Sequence, residues 1–292
     1  MKIKKTIPAA ILFYLFTMFF SSLYANELKL VWEVSGLNMP ESAVYDSRTN
    51  IIFVSNIHGK PNEKDGVGYI STLRPDGSVI QFNWVEGFHA PKGMIVVGDK
   101  IYVSDIDHLV EVDINHGRIS GKWRAEGAIF LNDTAIDSSG NIYVSDMLGN
   151  SIFRLSNDRL ELWVTGDELL APNGLMVKGN DLLMATWGVR TEGFSTSVVG
   201  HLKTVSLDSH SVASFGNGTP VGNLDGLEPD GNGSYLVTDW MAGALYRIQP
   251  SGDADLLLDL NQGSADLEYI QSKGLVLIPM MLDGKLVAYK LH

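Results

Sequence analysis

Six polar residues hold equivalent places in a repeated phrase: Glu41, Lys92, Asn132, Asn173, Asp225 and Asp266. Their separations are 51, 40, 41, 52 and 41 residues. Four of them, Glu41, Asn132, Asn173 and Asp225, offer two carboxylates and two amide carbonyls. An all-oxygen set of this kind suits a hard divalent cation such as Ca²⁺ and generally not Zn²⁺. The chain has no cysteine, and its 7 histidines show no metal-ligand spacing. Asn and Asp also cap turns, so any one position taken alone reads as a capping residue. Glu41 and Lys92 cap turns poorly yet occupy the same slot, and this favours a shared purpose for the set. Glu41, Asp225 and Asp266 bring three negative charges and Lys92 one positive. A divalent ion would bring the ring to neutrality, whereas without it two uncompensated charges would sit in a partly desolvated channel.

The elements that must position these residues are short strands. Each phrase opens on a turn and runs into two β-rich segments. The pairs are 40–45 with 51–56, 91–96 with 100–105, 131–136 with 141–146, 172–177 with 181–187, 224–229 with 234–239, and 265–270 with 274–279. Two further strand-like runs follow each pair, as at 151–155 and 160–164, and helical periodicity is nearly absent. Four strands per unit of about 40 residues is the pattern of a propeller blade. The expected fold is therefore all-β, a single six-bladed β-propeller over residues 26–292. The sixth unit lacks a fourth strand before the chain stops. Residues 27–33 resemble 160–164, an outer strand, and are expected to pair into the last blade and close the ring, so removing 28–34 should destabilise all of it. Innermost strands begin around one mouth of a propeller's channel, so the six slot residues should converge there.

At these residues the sequence resembles the senescence-marker-protein/gluconolactonase (regucalcin-like) propellers and, more distantly, the diisopropyl fluorophosphatases and paraoxonases. The resemblance is carried by Pro40-Glu41, Asn132-Asp133, Pro172-Asn173-Gly174 and Asp225-Gly226, in that order and at propeller spacing. It implies that Glu41, Asn132, Asn173 and Asp225 bind a catalytic divalent metal, calcium first, with magnesium, manganese and zinc left open. It implies hydrolysis of lactones or related esters, with Asp225 as base or nucleophile. A metal bound from one side polarises a carbonyl and stabilises the developing oxyanion. A carboxylate beside it takes a proton from water or attacks directly.

Two departures from the family pattern stand out. Lys92 falls where paraoxonases carry a His. It is expected first to pair with Asp266, second to polarise a substrate oxygen as a catalytic residue, and last to replace the metal. Phe130 stands two residues before Asn132, where gluconolactonase-type members place an Arg, which points to a less polar substrate than a sugar lactone. A non-catalytic propeller that binds a ligand or protein partner is the rival reading, since the fold alone does not choose a function. A metal-independent, strictosidine-synthase-like enzyme is a third, disfavoured by the intact acid and amide ring.

Two blade spacings exceed the rest by about eleven residues against a propeller period near 40. The insertions, roughly 57–68 and 188–200, follow second strands and should overhang the ring as mobile lids. Trp187 and Trp240 end second strands and are expected to flank the pocket, with Asp266 and His89 as further substrate-binding candidates. The repeated Ser-Asp pairs at 104–105 and 145–146, with Thr238-Asp239, read as structural, their carboxylates accepting backbone N–H groups. No Gly-x-Ser-x-Gly, Walker loop or His-Glu-x-x-His occurs.

Residues 1–5 carry three lysines, 7–20 are almost wholly apolar, and 21–25 end in Ala25. This pattern reads as a signal peptide over 1–25, because a membrane span needs about 20 apolar residues. The protein is thus expected to be exported, periplasmic or secreted, with no stable membrane association once cleaved. The net charge of −12 argues against nucleic acid and anionic membrane surfaces as partners. A small-molecule substrate and a monomer are expected, with a core that holds without disulfides.

Overall fold

The computed structural model describes residues 28–291. The signal peptide expected over 1–25 lies outside the described residues. Six four-stranded antiparallel sheets form the blades. Blade one holds β2 (Pro40–Asp46), β3 (Ile51–Asn56), β4 (Gly68–Leu73) and β5 (Val79–Phe88). Blade two holds β6 (Pro91–Val97), β7 (Lys100–Asp105), β8 (His108–Asp113) and β9 (Arg118–Arg124). Blade three holds β10 (Leu131–Ile136), β11 (Ile142–Asp146), β12 (Ser151–Ser156) and β13 (Arg159–Thr165). Blade four holds β14 (Pro172–Lys178), β15 (Asp181–Thr186), β18 (Leu202–Ser206) and β19 (Val212–Ser214), and β16 (Gly188–Arg190) with β17 (Thr196–Val199) make a separate hairpin between its second and third strands. Blade five holds β20 (Leu224–Pro229), β21 (Tyr235–Asp239), β22 (Ala244–Ile248) and β23 (Ala254–Asp259).

Blade six is built from both ends of the described chain. β24 (Glu268–Ile270), β25 (Leu275–Met280) and β26 (Lys285–Leu291) are completed by β1 (Leu28–Ser35), paired antiparallel to β26 from Leu28 opposite Leu291 to Ser35 opposite Lys285. The ring closes on its inner side as well. Asp266 N–H donates to the Glu41 carbonyl at 2.9 Å, beside a parallel bridge between Ser42 and Asp266.

The apolar core lies between blades. Val44, Phe53 and Ile70 of blade one meet Met94, Ile101 and Val103 of blade two, and equivalent clusters fill the other five interfaces. Strands inside the ring are therefore buried on both faces, as in β4, whereas outermost strands such as β1 are mostly exposed, with Trp32 and Val34 half-buried. Among the described residues no helix is long and apolar enough to cross a membrane.

Two local features place the slot residues. In blades one to five the pairing of first and second strands shifts register at the start of the inner strand, as between Pro40 and Ala43 or between Leu224 and Leu227. Such a bulge re-aims side chains at a strand start, here those of Glu41, Lys92, Asn132, Asn173 and Asp225. The glycine after three of these residues answers a close approach between blades. A Cβ on Gly174 would stand 2.2 Å from the Asp225 carbonyl oxygen, and one on Gly226 2.4 Å from Leu267 N. The Asn-Gly and Asp-Gly motifs thus combine a pocket residue with a residue that lets the next blade come near.

Candidate functional site

Glu41, Asn132, Asn173, Asp225 and Lys92 meet in one cavity of about 180 Å³ at one mouth of the channel. All five are buried. Their positions are set by second-strand hydroxyls. Ser55 Oγ accepts the Ser42 N–H at 2.9 Å, Ser145 Oγ accepts that of Asp133 at 2.9 Å, and Thr238 Oγ1 that of Gly226 at 2.9 Å. Ser145 Oγ also donates to the Asn173 carbonyl of the next blade at 2.8 Å, and Ser104 Oγ donates to that of Asn132. The acids of the same repeat hold the preceding loop: Asp105 accepts from Ala90 N at 2.8 Å, and Asp146 from Phe130 N at 2.9 Å. The Ser-Asp repeat is structural.

At the cavity floor, buried polar atoms lack partners. Glu41 Oε2 and both Asn173 Oδ1 and Nδ2 make no hydrogen bond, although the Asn173 amide stands beside the Asp225 carboxyl and favours its charged form. Asn132 Nδ2 reaches only Met147 Sδ, at 3.9 Å. Burial pushes Glu41 well above the usual carboxylate range, the charges of Asp225 and Asp266 add to the push, and Lys92 opposes it. Burial raises Asp225 in the same way, with Asp266 adding. Native interiors seldom leave such groups unsatisfied. Among the described residues no cluster of three or more His, Cys, Asp or Glu is arranged to hold a metal. The set here has only two carboxylates, and the amides of Asn132 and Asn173 must complete it. Orphaned, all-oxygen donors with two negative charges fit a hard divalent cation.

Lys92 is placed differently from its first expectation. Its Nζ donates to the Ala90 carbonyl at 2.9 Å and lies 4.3 Å from the centre of the Phe130 ring. Among the described residues it forms no ion pair, because Asp266 points elsewhere: Asp266 Oδ2 accepts from Ser42 Oγ at 2.6 Å, and its side chain lines the other end of the channel. The cause is local, since the inner strand of blade six begins only at Glu268. Burial brings the Lys92 ammonium down to about 8, against the pull of Glu41 and Asp105. The ammonium and the Glu41 carboxylate attract each other, yet Glu41 Oε2 accepts no hydrogen bond from it.

The walls are apolar. Phe130, Trp187 and Trp240 line the cavity, while His89 does not. The His89 ring instead accepts the Gly66 N–H at 3.1 Å. Both insertions overhang the mouth, the first through Pro61 and the second through Phe194. The second is an anchored hairpin: Trp187 Nε1 donates to the Phe194 carbonyl at 2.8 Å and Arg190 Nη1 to that of Leu148 at 3.1 Å. The sequence reading missed Ile57, Met147 and Met281, which also line the pocket. They sit one residue past a second strand, the slot of Trp187 and Trp240, and aligning that slot across blades would have found them.

Fold and site together define a six-bladed propeller with an oxygen-lined, apolar-walled pocket at one channel mouth. The family model for the SMP-30/gluconolactonase/LRE-like region matches residues 39–261, and the chain belongs to that family. Among solved structures, a gluconolactonase from Xanthomonas campestris superposes with a TM-score of 0.70 at 15% identity, over 91% of this chain and 89% of its own. A streptogramin B lyase gives 0.63 at 13% identity, over 91% and 97%. A catalytically inactive virginiamycin B lyase from Staphylococcus aureus, solved with quinupristin, gives 0.60 at 13%, over 91% and 100%. At these identities the likeness is one of fold. No curated protein matches the sequence.

Proposed function

We propose that the protein is a metal-dependent hydrolase of lactones or related esters, exported to the periplasm or beyond the cell. The observation that carries this reading is the convergence of Glu41, Asn132, Asn173 and Asp225, with unpartnered buried oxygens, on the floor of a pocket open to small molecules. These four would hold the cation, calcium first. When bound, it would polarise the scissile carbonyl and offset the charge of the acids.

The residues themselves do the rest. Asp225 takes a proton from water, whose oxygen adds to the carbonyl carbon. The carbon–oxygen bond of the ester then breaks, and the departing alkoxide takes the proton back from the Asp225 carboxyl. Direct attack by Asp225 is the covalent variant of the same step. Lys92, fixed by Ala90 and Phe130, has N–H groups left to donate to a substrate oxygen. The apolar walls exclude water, which strengthens each of these interactions.

Asp225→Ala and Asn173→Ala should each abolish calcium binding in a calorimetric titration. They should also lower lactone turnover roughly 10²–10³-fold, the scale of losing a main transition-state contact. Full activity of Asp225→Ala protein in chelator would sink the proposal.

A further inference from the structure

We infer that the substrate carries a hydrocarbon tail, and that its ring or ester head enters the oxygen-lined floor while the tail lies along the aromatic wall and leaves past Phe194 and Leu282. The inference rests on the hydrolase reading and deepens it. Ten of the fifteen residues lining the cavity are apolar, and the five polar ones are the slot residues already assigned to the cation and the reacting carbonyl. Nothing is left over to recognise hydroxyl groups. The two indole N–H donors in the wall are engaged: Trp187 Nε1 gives its proton to the Phe194 carbonyl at 2.8 Å, and Trp240 Nε1 faces Met281 Sδ at 3.4 Å. A polyhydroxylated lactone would bury hydroxyls without partners against this wall, which is costly.

The apolar lining is built into the repeat. Ile57, Met147, Trp187, Trp240 and Met281 each follow the end of a second strand, and all five reach the cavity. Phe130 adds to the wall and meets Phe194 edge-on at 6.0 Å between centroids, while Trp187 meets Phe194 at 6.1 Å. Phe194 and Leu282 line the cavity and yet remain 42% and 54% exposed, so they form its rim. Val189 and Val198, paired in the hairpin that carries Phe194, are exposed as well. A tail emerging there continues over apolar surface, where the hairpin β16–β17 would set the preferred length.

The test is a series of γ-lactones with alkyl substituents of two to eight carbons, set beside glucono-δ-lactone, on the calcium-loaded protein. KM should fall roughly fourfold per added methylene, from the transfer free energy of a buried CH₂, until the chain clears the rim. Calorimetric titration with the matching 2-alkyltetrahydrofurans, which have no carbonyl to hydrolyse, should give the same dependence in Kd. Phe194→Ser should flatten both slopes and Phe194→Leu restore them. Chain-length dependence in Kd with no turnover of any lactone would support the tail site and overturn the hydrolase reading. Turnover that is flat with chain length, or greatest for glucono-δ-lactone, would overturn the tail site and leave the hydrolase reading intact.

Discussion

The two ends of the central channel use the same residue types to opposite effect. At the pocket end, Glu41 Oε2 and the Asn173 amide are buried without partners. At the other end, Asp133, Asp266 and Glu268 line a cavity of about 280 Å³ together with Glu228, and three of these four acids are tied to the frame. Asp133 accepts the Thr134 N–H and, across the blade boundary, the Leu175 N–H, each at 2.6 Å. Asp266 accepts from Ser42 Oγ at 2.6 Å and Glu268 from Tyr45 N at 3.2 Å, both joining blade six to blade one. The tied acids act as clasps between blades. The untied oxygens contribute nothing to the bare protein's cohesion, which is what a binding floor requires.

Stability should separate the two ends. Asp133→Ala strands two buried backbone donors and is expected to cost about 3 kcal/mol, a fall in Tm of about 6–12 °C for a chain of this size. Asn173→Ala strands no backbone donor in metal-free protein and should leave Tm there within a few degrees. Chemical denaturation of both variants in chelator gives the contrast. Equal losses would mean that the two ends are not distinguished by their hydrogen bonds.

How much of this was legible in the sequence follows from the same contrast. The blades, their order and the closing strand were readable because each rests on strand patterning repeated six times. The five slot residues at the pocket followed from the repeat as well, since the register shift recurs with it. Asp266 shares the spacing, but its strand starts two residues later, and equal spacing carries no information on where a side chain points. The expected Lys92–Asp266 pair failed for that reason. The clasping acids Asp133 and Glu268 carried no expected role as clasps, because a carboxylate within a strand normally reads as solvent-facing, and only ring closure turns that face inward. The lid over residues 188–200 lies over the pocket as expected, but its glycines suggested mobility where Trp187, Arg190 and Asn223 anchor it.

Calcium should stabilise the wild type through the pocket end alone. At a hundredfold excess over Kd, linkage gives about 2.7 kcal/mol, or a rise in Tm of about 5–10 °C. Asn173→Ala should lose that rise and Asp133→Ala should keep it, from its lower baseline. A calcium response abolished by Asp133→Ala and kept by Asn173→Ala would move the cation to the wrong end of the channel.

A further effect is expected on pH, and its sign is set by burial. Asp266 and Glu268 are both raised to about 7, first by burial. Between about pH 4 and 7 the folded chain therefore keeps protons that the unfolded chain has released, and stability falls as pH rises through that window. Lys92, lowered to about 8 by burial, acts in the other direction. From about 8 up to its ordinary value near 10.5 the unfolded chain holds the extra proton, and stability recovers as pH rises. In chelator, Tm should thus be lower at pH 7.5 than at pH 5.5. Glu268→Gln should reduce that difference, because it removes a clasp acid's titration while keeping an oxygen for the Tyr45 N–H. A Tm in chelator that climbs steadily from pH 5.5 to 7.5 would mean that these carboxyls are charged at low cost, and that the far end of the channel is better solvated than its burial implies.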